Sequence, residues 1–306
     1  MKKFLIKLLF FGVVFFAADK LFYPLEYISP KKEADKRLEY LLQGKINRDI
    51  LIFGSSRGAR NIMAEEIEIS TGLSAYNLSY PGSSIEFHEF LVRTALSNNK
   101  KPKLIILCVD NAMTFLPAPA LNFRLDRLYP LVKYDAIVDE LISRGEKNEY
   151  LSQFFYLHKL SKSNFDIHQK KFNAKDTISK LGSMPISFSD PKEKWKIDTL
   201  SVYDKKKEEK VKVVAFEKII AMCQKNKIPL VLVSPPLYDF QRDDFFKIVQ
   251  SRTPKNVHYY VFDKSNPIYS NKYYFFDKTH LKRNGAELFS RELGTFIFKK
   301  LVLQND

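Results

Sequence analysis

Five short strand-like runs, most of them apolar and alternating with helix-prone stretches, restrict this chain to few architectures. Leu104-Ile-Ile-Leu-Cys-Val109 is apolar at every position, as a central parallel strand covered on both faces must be. Asp49-Ile-Leu-Ile-Phe53 breaks at Gly54, and residues 74–78 stop before Pro81-Gly82. Ile228-Pro-Leu-Val-Leu-Val-Ser234 runs into Pro235-Pro236, and residues 257–262 make the fifth run. Helices are expected over 63–70, 84–96, 212–226, 239–250 and 284–301. This alternation predicts an α/β fold with a doubly wound five-stranded parallel sheet. The period lapses over residues 114–210, which read as a mostly helical insertion after the third strand, near the carboxyl edge where such sheets bind ligands. Its end, residues 192–212, holds eight Lys and five acidic residues and reads as a solvated connector. No internal repeat is visible.

The N-terminus obeys a different rule. Lys2, Lys3 and Lys7 precede an unbroken apolar run over residues 8–18, the pattern of an export signal. Cleavage after Ala17 or Ala18 would put Phe15 or Phe16 at −3, where a small residue is wanted, so an uncleaved anchor is expected. The run is short of the roughly 20 residues of a span, but Lys7 can snorkel and Leu21, Phe22 and Tyr23 extend the far side. Residues 1–23 are therefore read as a signal anchor, 24–48 as a helical linker and 49–306 as the α/β domain on the exported face. A buried helix of a soluble protein would explain the apolar run but not the lysines.

Composition excludes several classes. With 45% apolar and 28% charged residues, the chain is globular rather than disordered. Cys108 and Cys223 are the only cysteines, which rules out a disulfide scaffold and a cysteine-built zinc site; buried thiols are expected. His158 and His168 lack a zinc-ligand pattern, so no metal is expected. Fifty Lys plus Arg against thirty-five Asp plus Glu give a net charge of +15. The lysines are dispersed without a recognition motif, so nucleic acid is not expected as a partner and an anionic surface or polymer is.

Two motifs carry chemistry. Gly54-Ser55-Ser56-Arg57-Gly58 follows the first strand and enters a helix, fitting G-x-S-x-G. Ser56 would stand at the sheet's carboxyl edge with helix amides nearby to hold an oxyanion; Gly and Ser also fill turns for backbone reasons alone. Near the other end, Asp277-Lys-Thr-His280 precedes Asn284-Gly285. Asp and His three residues apart can pair carboxylate with imidazole, fixing the tautomer of a base that takes a proton from serine. Ordinary helix capping is the plain alternative. Arg57 could hold an anionic substrate group or be a solvated helix-start residue. His88 reads as a surface or packed residue. Tyr273-Tyr-Phe-Phe276 reads as packing that positions the D-x-x-H turn, with a sugar-stacking platform as the alternative.

With a strand-end serine near the start and D-x-x-H near the end, the chain resembles the SGNH (GDSL-type) hydrolase superfamily. Gly54-Ser55-Ser56 stands where that family has G-D-S, with Ser55 replacing the Asp. Asn77-Leu-Ser-Tyr-Pro-Gly82 is similar to the glycine block, Val109-Asp110-Asn111 matches the G-x-N-D block weakly, and Asp277 and His280 match the last block. The resemblance implies a flavodoxin-like three-layer sandwich, Ser56 as nucleophile, His280 as general base and Asp277 as its orienting acid. It further implies oxyanion donors in the Ser56 and Gly82 amides and the Asn111 side chain, with no cofactor. The α/β-hydrolase fold shares the order Ser, acid, His, but its elbow follows several strands and its acid and histidine sit on separate loops.

A membrane-anchored member of this kind resembles the D-alanyl-transfer proteins of teichoic acid and the O-acetyl transferases of exopolysaccharides. The expected function is serine-dependent esterase or acyltransferase chemistry on an envelope polymer. The expected partners are an acyl donor, an envelope polysaccharide or anionic polymer, the membrane, and a membrane protein that delivers the acyl group. The alternative is an envelope binding protein that keeps the fold without turnover.

Overall fold

A computed structural model of the chain describes residues 1–109, 111–190, 195, 203–238 and 243–302. Five strands form one parallel sheet: β1 (Ile50–Phe53), β2 (Ala75–Asn77), β3 (Leu104–Cys108), β4 (Leu230–Ser234) and β5 (His258–Val261), in the order β2-β1-β3-β4-β5. The expected α/β class and five parallel strands are found. Register pairs Ile52 with Asn77 and Ile106, and Cys108 with Val233. Every residue of β1, β3 and β4 is buried, whereas β5 is an edge strand with partly exposed residues.

The sheet is covered on both faces because both faces are apolar. Ile50, Ile52, Leu104, Ile106, Cys108, Val231 and Val233 recur at every second position and share one core with Ile67, Phe289, Leu293 and Ile297, the period of a strand facing one layer. Their alternates Leu51, Phe53, Ile105, Leu107 and Leu232 are equally buried and face the opposite way. Helices Ala64–Thr71 and Arg283–Ile297 pack together, as do Ile85–Asn98 and Lys210–Lys225. The chain leaves β1 for one neighbour, β2, and then returns to the other, β3. That reversal places a crevice at the carboxyl ends of β1 and β3, where the Gly54-Ser55-Ser56 turn lies.

The chain divides into two compact units, Met1–Glu39 with Arg124–Lys171, and Tyr40–Phe123 with Phe172–Asp306. In space the N-terminal residues thus group with the middle of the expected insertion. Within the first unit, helix Lys2–Asp19 ends on buried Asp19, whose carboxylate accepts the amides of Tyr156 (2.8 Å) and Leu157 (2.9 Å). This satisfies two orphan donors at the start of helix Tyr156–Lys159. Phe15 and Phe16 meet Phe155 at 5.9 and 6.0 Å. Among the described residues, no helix is long and apolar enough to cross a membrane. Residues 192–194 and 196–202 of the connector expected over 192–212, and residues 239–242 at the start of the helix expected over 239–250, lie outside the described residues.

Residues 179–186 run beside β2 and lock it: Asn77 donates to the Leu181 carbonyl (2.8 Å), and Met184 donates to that of Ala59 (2.7 Å). Gly182 makes this possible with φ +85°, and a Cβ there would overlap the Asn77 carbonyl. Gly182→Ala is therefore expected to destabilise the sheet unit by about 1–3 kcal/mol. Urea unfolding followed by circular dichroism checks this; an unchanged midpoint would show that the segment relaxes freely.

Candidate active site

Two glycines let the first turn sit close on its neighbours. A Cβ on Gly54 would lie 2.6 Å from the Cys108 Cβ, and one on Gly58 would lie 2.6 Å from the Ser79 Oγ. Larger residues at either place would push helix Ser56–Asn61 off β3 and the loop after β2. Ser55 is the extended N-cap residue and Ser56 the first residue of that helix. The two glycines of G-x-S-x-G thus serve close approach rather than unusual backbone angles.

The second element is a tight turn. Phe276 donates to the His280 carbonyl at 2.8 Å, and Phe275 bridges Leu281 in antiparallel fashion. Inside the turn, Asp277 Oδ1 accepts from the Thr279 amide (2.7 Å), the Thr279 hydroxyl (2.9 Å) and the His280 amide (2.8 Å). Asp277 Oδ2 lies 2.7 Å from His280 Nδ1, and His280 Nε2 lies 2.8 Å from Ser56 Oγ. With Nδ1–H donated to the carboxylate, Nε2 is left to accept from the serine hydroxyl. Burial raises the affinity of the Asp277 carboxyl for its proton. The His280 hydrogen bond and charge and the Thr279 donors outweigh this and hold it well below the usual carboxylate range.

A residue not singled out from sequence joins the two elements. Asn61 is fully buried, donates to the Thr279 carbonyl (3.0 Å) and accepts from the Leu281 amide (2.9 Å). It grips the backbone on both sides of His280 from the far end of the Ser56 helix. Asn77 does the same on the other side, donating to the Gly58 and Ile62 carbonyls (2.9 and 2.8 Å) and accepting from Ser79 (2.9 Å). The available signal was an amide side chain inside an otherwise buried stretch, which must find partners.

The expected oxyanion donors are placed as follows. The ladder of β1 continues past β2, with Tyr80 donating to the Gly54 carbonyl at 2.9 Å, so the loop carrying Gly82 runs beside the Ser56 turn. Gly82 takes φ +72°, and among the described residues neither its amide nor that of Ser56 donates a hydrogen bond. Asn111 lies beyond the end of β3, where its side-chain oxygen accepts from Met113 (2.8 Å) and caps the next turn. The hydrogen bonds bring Ser56, His280 and Asp277 together, and the loop carrying Gly82 runs beside the Ser56 turn; among the described residues, the hydrogen bonds of Asn111 stay within its own turn. Asp110 lies outside the described residues.

His88 is the packed residue of the two expected alternatives. It is buried, with Nε2 2.8 Å from Ser83 Oγ, while Ser83 donates to the Tyr80 carbonyl (2.6 Å). The pair braces the Gly82 loop from behind. Arg57 is not solvated: it is 2% exposed and donates to the Pro235 carbonyl. Phe275 and Phe276 are buried packing, as expected, whereas Tyr273 is exposed. Cys108 and Cys223 are free buried thiols, and burial pushes Cys223 up to about 12. His158 accepts from the Asn148 amide (2.9 Å) and His168 meets Asp166 (3.0 Å). Among the described residues, no group of three His, Cys, Asp or Glu could hold a metal ion.

No protein-family model matches the chain, and no curated protein matches it.

Burial pushes the His88 imidazole down to about 3, the Gly54 carbonyl opposing only in part. Between that value and its ordinary 6.5, the unfolded chain binds a proton that the folded chain does not. Stability must therefore fall as pH drops below about 6.5, by up to about 1.4 kcal/mol per pH unit from this group. Melting curves between pH 7 and 4.5 should show a shallower acid loss in His88→Gln than in the parent. Parallel curves would mean that His88 is protonated in the fold.

Proposed function

We propose that this protein performs serine-dependent acyl-ester chemistry, as an O-acyltransferase or esterase of the SGNH kind acting on a cell-envelope glycan or anionic polymer. The observation that carries the reading is the unbroken chain Ser56–His280–Asp277, with links of 2.8 and 2.7 Å. The Ser56 oxygen attacks the carbonyl of an ester or thioester donor while its proton passes to His280 Nε2. Asp277 holds the ring and steadies the imidazolium. The tetrahedral oxyanion is held by the Ser56 and Gly82 amides, with Asn111 as a third donor by family resemblance. Its collapse breaks the bond to the leaving group, which takes the proton from His280. An acceptor hydroxyl then gives its proton to His280 and attacks the acyl-serine, regenerating Ser56.

Transfer to a polymer is favoured over hydrolysis by an anchored position and a net charge of +15. Water at about 55 M is outrun only by a held acceptor, whose effective molarity can reach ~10⁵ M or more. A membrane protein that delivers the acyl group fits this scheme. The anchor itself is part of the proposal. Along helix Lys2–Asp19, Phe4, Leu9, Phe10 and Phe11 are each about two-thirds exposed, a surface that needs an apolar phase. Lys2, Lys3 and Lys7 would lie at the cytoplasmic headgroups, and the rest of the chain on the exported face.

Labelling by a fluorophosphonate probe tests the chemistry. The parent should label, Ser56→Ala should lose all labelling, and Ser55→Ala should keep a measurable fraction. A folded parent that never labels would favour the binding-protein alternative; loss on Ser55→Ala alone would move the nucleophile by one residue. Membrane fractionation tests the anchor: the full chain should stay with membranes through a high-salt wash, and release by salt alone would contradict a hydrophobic attachment.

A further inference from the structure

We propose that the side of the site formed around the D-x-x-H turn is a subsite for a polysaccharide of acidic sugars, built from Trp195, Tyr238, Tyr273, Lys272 and Lys282. The purpose of such a subsite rests on the acyl-transfer reading; its ability to bind does not. Tyr238 belongs to the site's own framework, because its amide donates to the Lys278 carbonyl at 2.9 Å, one residue from Asp277. Its ring meets core Phe275 at 5.5 Å on one side and half-buried Trp195 at 5.1 Å on another. Lys272 sets its ammonium 5.1 Å from the Trp195 ring and 5.7 Å from the Tyr238 ring. A few residues on, Lys282 lies 5.7 Å from the ring of Tyr273, which is 65% exposed.

Some lysines elsewhere meet carboxylates, as Lys103 does Asp49, Lys133 Glu39 and Lys212 Glu209. Among the described residues, Lys272, Lys278 and Lys282 have no carboxylate within 4 Å. The carboxylate next to Lys278, that of Asp277, is committed to His280 and Thr279. Ring contacts hold two of these ammoniums in place without neutralising them. Two ammoniums against exposed and half-buried rings, with no carboxylate of the described residues within 4 Å, fit a ligand that offers sugar C–H faces and negative groups together.

Trp195 is the chain's only tryptophan, so its emission reports on this surface alone. The full-length Ser56→Ala protein is titrated with hexagalacturonate, with neutral cellohexaose and with polyphosphate. A saturable change with hexagalacturonate only is expected, weakened about tenfold by the added substitution of exposed Lys272→Gln. No response together with no heat of binding by calorimetry would overturn the proposal. So would an equal response to cellohexaose, which removes the role of charge, or to polyphosphate, which removes that of the rings. An unchanged Kd in a folded Lys272→Gln variant would overturn it too. Because Ser56→Ala needs no turnover to bind, glycan binding without fluorophosphonate labelling of the parent would sink the enzyme and leave the subsite. Labelling without glycan binding would do the reverse.

Discussion

The grip of one buried amide on two backbone groups sets the geometry of the site. Ser56 and His280 are 224 residues apart, yet Asn61 takes the carbonyl before His280 and the amide after it. The side chain must donate and accept at once, which an Asn does and an Asp does not. A leucine would fill the space but strand two backbone groups in an interior where each costs about 1–3 kcal/mol. Because Asn61 ends the short helix that Ser56 begins, the serine and histidine are referred to one rigid element rather than to two loops.

The remaining order follows from that reference. The helix is held down by close approach, Gly54 on Cys108 and Gly58 on Ser79, so it cannot slide along β3. Asn77 ties its backbone to the end of β2, and helix Arg283–Ile297 accepts the Met63 amide on Ser290 at 2.8 Å. Placing acid and base on one turn shortens the chain of dependence. Asp277 organises the turn through Oδ1 and aligns the imidazole through Oδ2, so the same carboxylate that folds the loop fixes the tautomer. The sheet contributes the crevice, since the chain reverses between β1 and β3 and their carboxyl ends are left uncrossed.

How much of this was legible in one dimension depended on the range of the cause. Strands were legible because each run is closed by a turn-forming residue such as Gly, Pro, Ser or Asp, and in β1 and β3 burial on both faces leaves no polar residue to blur it. Asp277 and His280 were legible because their contact is local. Ser56 was legible through its place at a strand end. Asn61, Asn77 and the Ser83–His88 pair were not, because a polar side chain shows that it needs a partner without showing which. Arg57 could be read as solvated until the Pro235 carbonyl, 178 residues on, was placed against it. Likewise the grouping of Met1–Glu39 with Arg124–Lys171 depends on caps such as Asp19 on Tyr156, which leave no periodic trace.

Stability alone gives little reason for the serine–histidine contact to exist. A hydrogen bond of this kind contributes about 0.5–1.5 kcal/mol net, and apolar side chains of similar volume would match it without a buried carboxylate. Asp277 meanwhile sits partly out of water and is kept ionised only by collecting three donors on one oxygen and an imidazole on the other. An arrangement that sustains a charge this way and spends it on one imidazole, whose free nitrogen faces a hydroxyl, is costly as a fold device and effective as a proton relay. A protein that only bound glycan would need the lysines and rings around the turn, but not the hydroxyl, the bare nitrogen and the aligned carboxylate in series. That difference is what weighs for chemistry at Ser56 over binding alone.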